Sequence, residues 1–134
     1  MIIVNTVTFL SEHELKKLLI KMLSSDHDIK FSIDTLVKGL SGIKHKVDIY
    51  ISYPRSLAIM IPCGDLKIEL VKAVVIGIDI HVPVILLINE KELMKYEKDF
   101  RDILEEVPVK VIIYRKPDEE YSRLYQEIIK ECKS

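Results

Sequence analysis

The chain has 134 residues, of which 49% are hydrophobic and 31% are charged, and its formal net charge is -1. This length and composition predict one soluble globular domain, spanning residues 1–134, that is long enough to bury a core. Proteins that bind long duplex DNA through phosphates alone usually carry a basic excess, so the charge balance leaves only local nucleic-acid contact.

The sequence predicts a cytoplasmic protein without a membrane span. Its longest apolar run, residues 73–88, is interrupted by Asp79, His81 and Pro83, and a spanning helix needs about 20 apolar residues. The first ten residues lack the basic segment and cleavage site of a signal peptide. The two cysteines have no CxxC spacing, which predicts reduced thiols. Abundant Ile, Lys and Glu are typical of a thermophile.

The N-terminal part predicts an extended segment followed by a helix. Residues 1–9 are rich in β-branched residues and predict a short edge strand or an extended arm. Ser11 and Glu14 have the spacing of a capping box, so we expect the helix to begin there. The apolar residues that follow lie at the spacing of one helical face: Leu15, Leu18, Leu19, Met22 and Leu23.

The middle of the chain predicts three strands, a helix and a buried strand. Residues 28–39 alternate between apolar and polar, and residues 46–52 and 56–62 form a hairpin that turns at Pro54. Asp65 is placed to cap a helix that extends to Ile80. The run "VPVILLI" is continuous and apolar, which is typical of a strand buried on both faces.

The C-terminal part predicts two further helices around one strand. Asn89 and Glu92 open a single helix over residues 89–106, and residues 109–114 form the last strand. Pro117 begins the final helix, whose apolar stripe is Tyr121, Leu124, Tyr125, Ile128 and Ile129. The whole order predicts an α/β layered domain around a mixed sheet.

A run of small and polar residues precedes the second strand: Gly39, Ser41, Gly42, His45 and Asp48. With the element order over about residues 11–88, this Gly-x-Ser-Gly-x-x-His-x-x-Asp run resembles the restriction-endonuclease-like PD-(D/E)xK nuclease superfamily, near type IV restriction endonucleases. The resemblance implies a three-layer domain with a mixed β-sheet flanked by helices. A flavodoxin-like open sheet is the alternative fold.

The resemblance also implies a metal site. Asp48 corresponds to the first metal-binding aspartate, and Glu14 lies near the position of an additional acid on the first helix. Such nucleases add Glu-x-Lys on the third strand to hold Mg²⁺ and to steady the attacking water. A turn at Pro54 places Met60 or Ile61 opposite Asp48, so the corresponding residues are Met60 and Pro62, which supply neither function.

Two alternatives to the missing pair follow from the sequence. Asp65 and Lys67 match D-x-K, but they lie about four residues too far along, a displacement of about 13 Å. Glu69 and Lys72 are three residues apart on the next helix and share a face. An active site of Asp48, Glu69 and Lys72 therefore stays open, with Mg²⁺ as its cofactor.

Local DNA contact is predicted for the residues around the second strand. These candidates are Ser41, Gly42, Lys44, His45, Lys46 and Arg55, with Lys38 beside them. The competing interpretation is a solvated lysine-rich face with an ordinary turn histidine.

The sequence favours a degenerate nuclease-like module that contacts DNA or protein, needs no cofactor and does not cleave. The alternatives are the active Mg²⁺-dependent endonuclease and a purely structural oligomerising protein. We also predict a homodimer, because the last strand is a candidate edge strand and the tyrosines of the last helix are candidates for contact with a partner. The competing interpretation is that this helix packs only on its own sheet.

Overall fold

The computed structural model describes the backbone of residues 2–133 and the side chains of residues 11–133. Its helices are α1 (Ile2–Ser24), α2 (Leu66–Ile80), α3 (Glu90–Leu93), α4 (Lys98–Ile103) and α5 (Pro117–Lys133). Its strands are β1 (Lys30–Lys38), β2 (Lys44–Tyr53), β3 (Leu57–Met60), β4 (Val84–Asn89) and β5 (Lys110–Tyr114).

The strands form one mixed sheet in the order β1-β2-β3-β4-β5. The first three strands are antiparallel, and β3, β4 and β5 are parallel to one another. The hairpin between β2 and β3 turns through the cis peptide bond between Tyr53 and Pro54. The α/β class with a mixed sheet and flanking helices is therefore confirmed.

Two hydrophobic cores cover the two faces of the sheet. Helices α1 and α5 pack on one face through residues such as Leu15, Leu19 and Ile128, all 0% exposed. Helices α2, α3 and α4 pack on the other face through residues such as Ala73 and Phe100. Both crossovers between parallel strands thus run over the same face, and every residue of the interior strand β4 is buried.

The prediction for the N-terminus was wrong. Helix α1 begins at Ile2 and continues without interruption through Ser11, and Met1 lies outside the described residues. Extending an existing helix adds a hydrogen bond for each residue that is fixed, so propagation overrides the β-preference of this segment. Ser11 therefore lies inside the helix, where no free N–H group is left for a capping box.

The predicted helix over residues 89–106 is divided into α3 and α4. The cap at Asn89 is confirmed, since its side chain accepts a hydrogen bond of 2.9 Å from the Lys91 N–H. Tyr96 lies between the two helices, where its hydroxyl accepts from the Leu66 N–H at 2.8 Å. This tertiary contact to the start of α2 holds the break. The cap of α2 is also confirmed, because Asp65 accepts from the Lys67 N–H.

Candidate functional site

Asp48 lies where the alternation of side chains along β2 breaks. Val47 belongs to the core beneath α2, whereas Ile49 belongs to the core beneath α1 and α5. In a regular strand, residues two apart share a face. On the neighbouring strand Asp34 has a φ of 45°, in the left-handed region. Irregularities of this kind redirect side chains, and here they place Asp48 at the end of β3.

The carboxylate of Asp48 is held from two sides. Its Oδ2 accepts the Ile61 N–H at 2.8 Å, and its Oδ1 lies 3.4 Å from the Nζ of Lys16, which also binds Asp34. The pairing of β2 with β3 ends at Ile49 and Ile59. Asp48 and Met60 are the next residues on the two strands, which agrees with the predicted register.

Two adjoining pockets meet at Asp48. The pocket on the α2 side has a volume of about 280 Å³, and Asp48, Glu69 and Lys72 all line it. Lys46, Met60 and Pro62 line it as well. The Lys72 Nζ lies 3.5 Å from the carboxylate of Glu69. The structure thus brings the three residues of the alternative active site to one pocket.

The pocket on the α1 side contains Glu12, an acid that the sequence analysis missed. This pocket of about 200 Å³ is also lined by Lys16, Asp48 and Cys63. Glu12 is only 6% exposed, and its Oε2 has no hydrogen-bond partner among the described residues. Its spacing from Leu15 and Leu19 places it on the buried face of α1, which is the signal that identifies it.

The surroundings of Glu12 oppose its ionisation. Burial raises its pKa to about 7, and the nearby negative charges of Glu92, Asp48 and Glu69 act in the same direction, whereas a hydrogen bond with Cys63 opposes them. Burial of an acid disfavours its charged form because the carboxylate loses its hydration. A carboxyl with a pKa in this range can exchange a proton near neutral pH.

Cys63 and Tyr114 complete the polar surroundings of Glu12 at the carboxyl ends of the parallel strands. Desolvation and the hydrogen bond to Glu12 raise the pKa of Cys63 to about 12. Burial and the charge of Glu12 also raise the pKa of Tyr114. A thiol that keeps its proton is a weak nucleophile.

The structure places Glu14 away from both pockets. Its side chain is exposed, and it lies two residues from Glu12, which on a helix corresponds to the opposite face. Among the side chains of residues 11–133, no three acids, histidines or cysteines are placed to hold a metal ion together.

The Gly/Ser/His run forms a turn that is fastened to the end of α2. Asp79 accepts hydrogen bonds from the Ser41 N–H at 2.9 Å and from the Ser41 hydroxyl at 2.7 Å, and its other partner is the His45 Nε2 at 2.6 Å. These contacts with Ser41 and His45 lower the pKa of Asp79 to about 2. Ser41 and His45 therefore have a structural role and line neither pocket at Asp48.

Both glycines of this run have a structural reason. A Cβ on Gly39 would lie 1.9 Å from the Asp79 Oδ2, and Gly42 has a φ of +88°. A side chain at Gly39 would displace the carboxylate, and one at Gly42 would be strained. The turn geometry thus explains both glycines without a ligand.

The structure separates the predicted DNA-contacting residues into two places. Lys38 pairs with Lys44 across the β1–β2 ladder, and Lys46 lines the pocket beside Asp48. Arg55 follows the far end of β2, which runs from Lys44 to Tyr53, a length of about 30 Å. Of these basic residues, only Lys46 lines a pocket at Asp48.

Similarity to other proteins adds no assignment. No family model, curated protein or solved structure matches this chain. What the described residues show is a five-stranded mixed sheet with flanking helices, and none of the helices in residues 2–133 is long and apolar enough to cross a membrane. The resemblance to nucleases stays a prediction that rests on residues 39–48 and on the order of elements.

Proposed function

We propose that this chain is a restriction-endonuclease-like module that has lost metal-dependent cleavage and contacts DNA or another protein. The observation that supports the proposal is the β2–β3 register, in which Ile49 pairs with Ile59. Asp48 and Met60 are the next residues on the two strands, and Pro62 follows Met60 by two residues. A hard divalent ion needs several oxygen ligands. A thioether and a proline ring supply none, so the third strand does not complete a metal site.

The proposed contact with DNA is supported by the lysines near Asp48. Lys46 and Lys72 line the pocket, and Lys38 and Lys44 lie next to each other on the adjoining strands. Lysines contact the phosphate backbone without reading sequence. We therefore expect weak, salt-dependent binding that does not depend on base sequence.

The test measures cleavage and binding separately. We expect no cutting of plasmid, linear or branched DNA with Mg²⁺ or Mn²⁺. A short fluorescent duplex should show anisotropy binding that weakens several-fold in Lys44→Gln/Lys46→Gln and is unchanged in Arg55→Gln, the matched control at the far end of β2. If the wild type and both variants bind the duplex equally well, DNA binding is contradicted and contact with a protein remains as the proposed function.

A second candidate function is a Mg²⁺-dependent endonuclease that uses Asp48, Glu69 and Lys72. It is supported by the fact that one pocket is lined by all three residues. In this mechanism Lys72, which pairs with Glu69 in the structure, would orient the attacking water molecule. Cleavage by the wild-type protein that disappears in Asp48→Asn and in Lys72→Met would establish this function and contradict the first.

A further inference from the structure

Helix α2 is apolar on the face that points away from the sheet as well as on the face that contacts it. Its inner face is buried through Leu66, Leu70, Ala73 and Ile76. Its outer face carries four more large aliphatic residues, which are between 52% and 65% exposed: Ile68, Val71, Val75 and Ile78. A helix that is hydrophobic all round is normally buried all round, so the outer face lacks the cover that its composition predicts.

The turn between β1 and β2 extends this apolar surface. Leu40 is 78% exposed and Ile43 is 61% exposed, and with Val75 and Ile78 they line a groove of about 480 Å³. The turn is fastened to α2 by the hydrogen bonds to Asp79, so the groove exists without a partner. We call these six residues the α2 patch: Leu40, Ile43, Ile68, Val71, Val75 and Ile78.

The size of the α2 patch suits a protein interface. Six aliphatic side chains, each more than half exposed, present on the order of 600 Å² of apolar surface, which is at the upper limit for a monomer. A stable interface of standard size buries about 800 Å² on each partner. The patch and a narrow polar rim supply that area.

The spacing of the patch fits a second copy of itself. Ile68, Val71, Val75 and Ile78 are separated by three, four and three residues, the spacing of a heptad seam. If two α2 helices pack antiparallel about a two-fold axis between Val71 and Val75, each Val71 meets the Val75 of the other copy. Each Ile68 then reaches the groove beside Ile78.

The electrostatics of this arrangement are favourable. Antiparallel packing places the positive end of each helix dipole beside the negative end of the other. Of the charged residues on α2, Glu69 and Lys72 already pair within one copy. The same face thus serves on both copies, as an isologous contact requires.

The helix that the sequence analysis favoured for this role has its apolar stripe covered. Leu124 and Ile128 of α5 are 0% exposed against the sheet. The Tyr125 hydroxyl donates to Asp26 at 2.9 Å. At the β5 edge, the Arg123 guanidinium donates to the carbonyl oxygen of Ile113. The stripe of α5 therefore packs on its own sheet, and α2 carries the larger free apolar face.

We propose that the α2 patch is the contact surface of a two-fold homodimer in which the two α2 helices pack antiparallel. This inference does not rest on the proposed function, since none of the six residues lines the pockets at Asp48.

The test is the molar mass of the full chain by light scattering between 5 and 200 µM. We expect the wild type to reach twice the 15.5 kDa of one chain, and Val71→Lys/Val75→Lys to stay at one chain with an unchanged circular dichroism spectrum. The matched control is Ile113→Lys, which charges an exposed isoleucine, 41% exposed, on the β5 edge, and it should stay dimeric.

A disulfide test examines the geometry directly. In a Cys63→Ser background, a mixture of Val71→Cys and Val75→Cys variants should form the crosslinked heterodimer in preference to either homodimer. The proposal is overturned if the wild type is monomeric at 200 µM or if Ile113→Lys breaks the dimer. It is also overturned if the protein is a monomer that floats with anionic lipid vesicles. So would equal crosslinking of all pairs.

Discussion

Replacing Glu12 by glutamine should change how the stability of the protein depends on pH. Glu12 is 6% exposed, and burial raises its pKa from 4.5 to about 7. Below about pH 4.5 the carboxyl is protonated in both the folded and the unfolded chain and contributes no difference. Between these two pKa values only the folded chain keeps the proton, so the free energy of unfolding falls as pH rises.

The magnitude follows from the size of the shift. A rise from 4.5 to about 7, at 1.36 kcal/mol for each pKa unit, corresponds to about 3 kcal/mol of stability lost by pH 8. Glutamine has nearly the same shape and does not titrate. The stability of Glu12→Gln relative to wild type should therefore grow from about zero at pH 4 to about 3 kcal/mol at pH 8.

Urea unfolding followed by circular dichroism at pH 4, 6 and 8 measures this difference. The matched control is Glu14→Gln, which removes a carboxylate from the exposed face of the same helix. Its free energy of unfolding should depend on pH in the same way as that of the wild type. If Glu12→Gln also runs parallel to the wild type at all three pH values, the carboxyl is not desolvated and the reasoning fails.

Three further predictions concern the metal and the turn. Titration calorimetry should find no Mg²⁺ or Mn²⁺ site tighter than about millimolar, because Asp48 lacks partner ligands; micromolar binding that is lost in Asp48→Asn would contradict this. Gly39→Ala should lower the urea midpoint by displacing the Asp79 carboxylate. In an Asp79→Ala background, Gly39→Ala should have little further effect on the urea midpoint. If the effects of the two substitutions are additive, the clash at Gly39 does not involve Asp79. The contribution of Asp79, whose pKa is lowered to about 2, should be present above pH 4 and lost as pH falls toward 2 in a urea series, whereas Asp79→Asn should lack this loss.

The elements whose signals are local could be predicted from the amino-acid sequence. The caps at Asp65 and Asn89 were predicted because a side-chain acceptor and the N–H group it binds are two residues apart. The continuous apolar run of β4 and the stripe of α5 were predicted from periodicity alone. The position of Met60 opposite Asp48 followed from the hairpin, since a turn fixes the register of its two strands.

The features that join distant parts of the chain depend on contacts that no local pattern predicts. Tyr96 interrupts the helix after β4 because its partner is the first turn of α2, thirty residues earlier. The meeting of Glu12 with Cys63 depends on where α1 lies on the sheet, and the sequence gives only the face of α1 that is buried. Both faces of α2 are apolar, so composition could not tell which would contact the sheet. Burial is decided by which surfaces meet in three dimensions, and that depends on contacts between residues far apart in the chain.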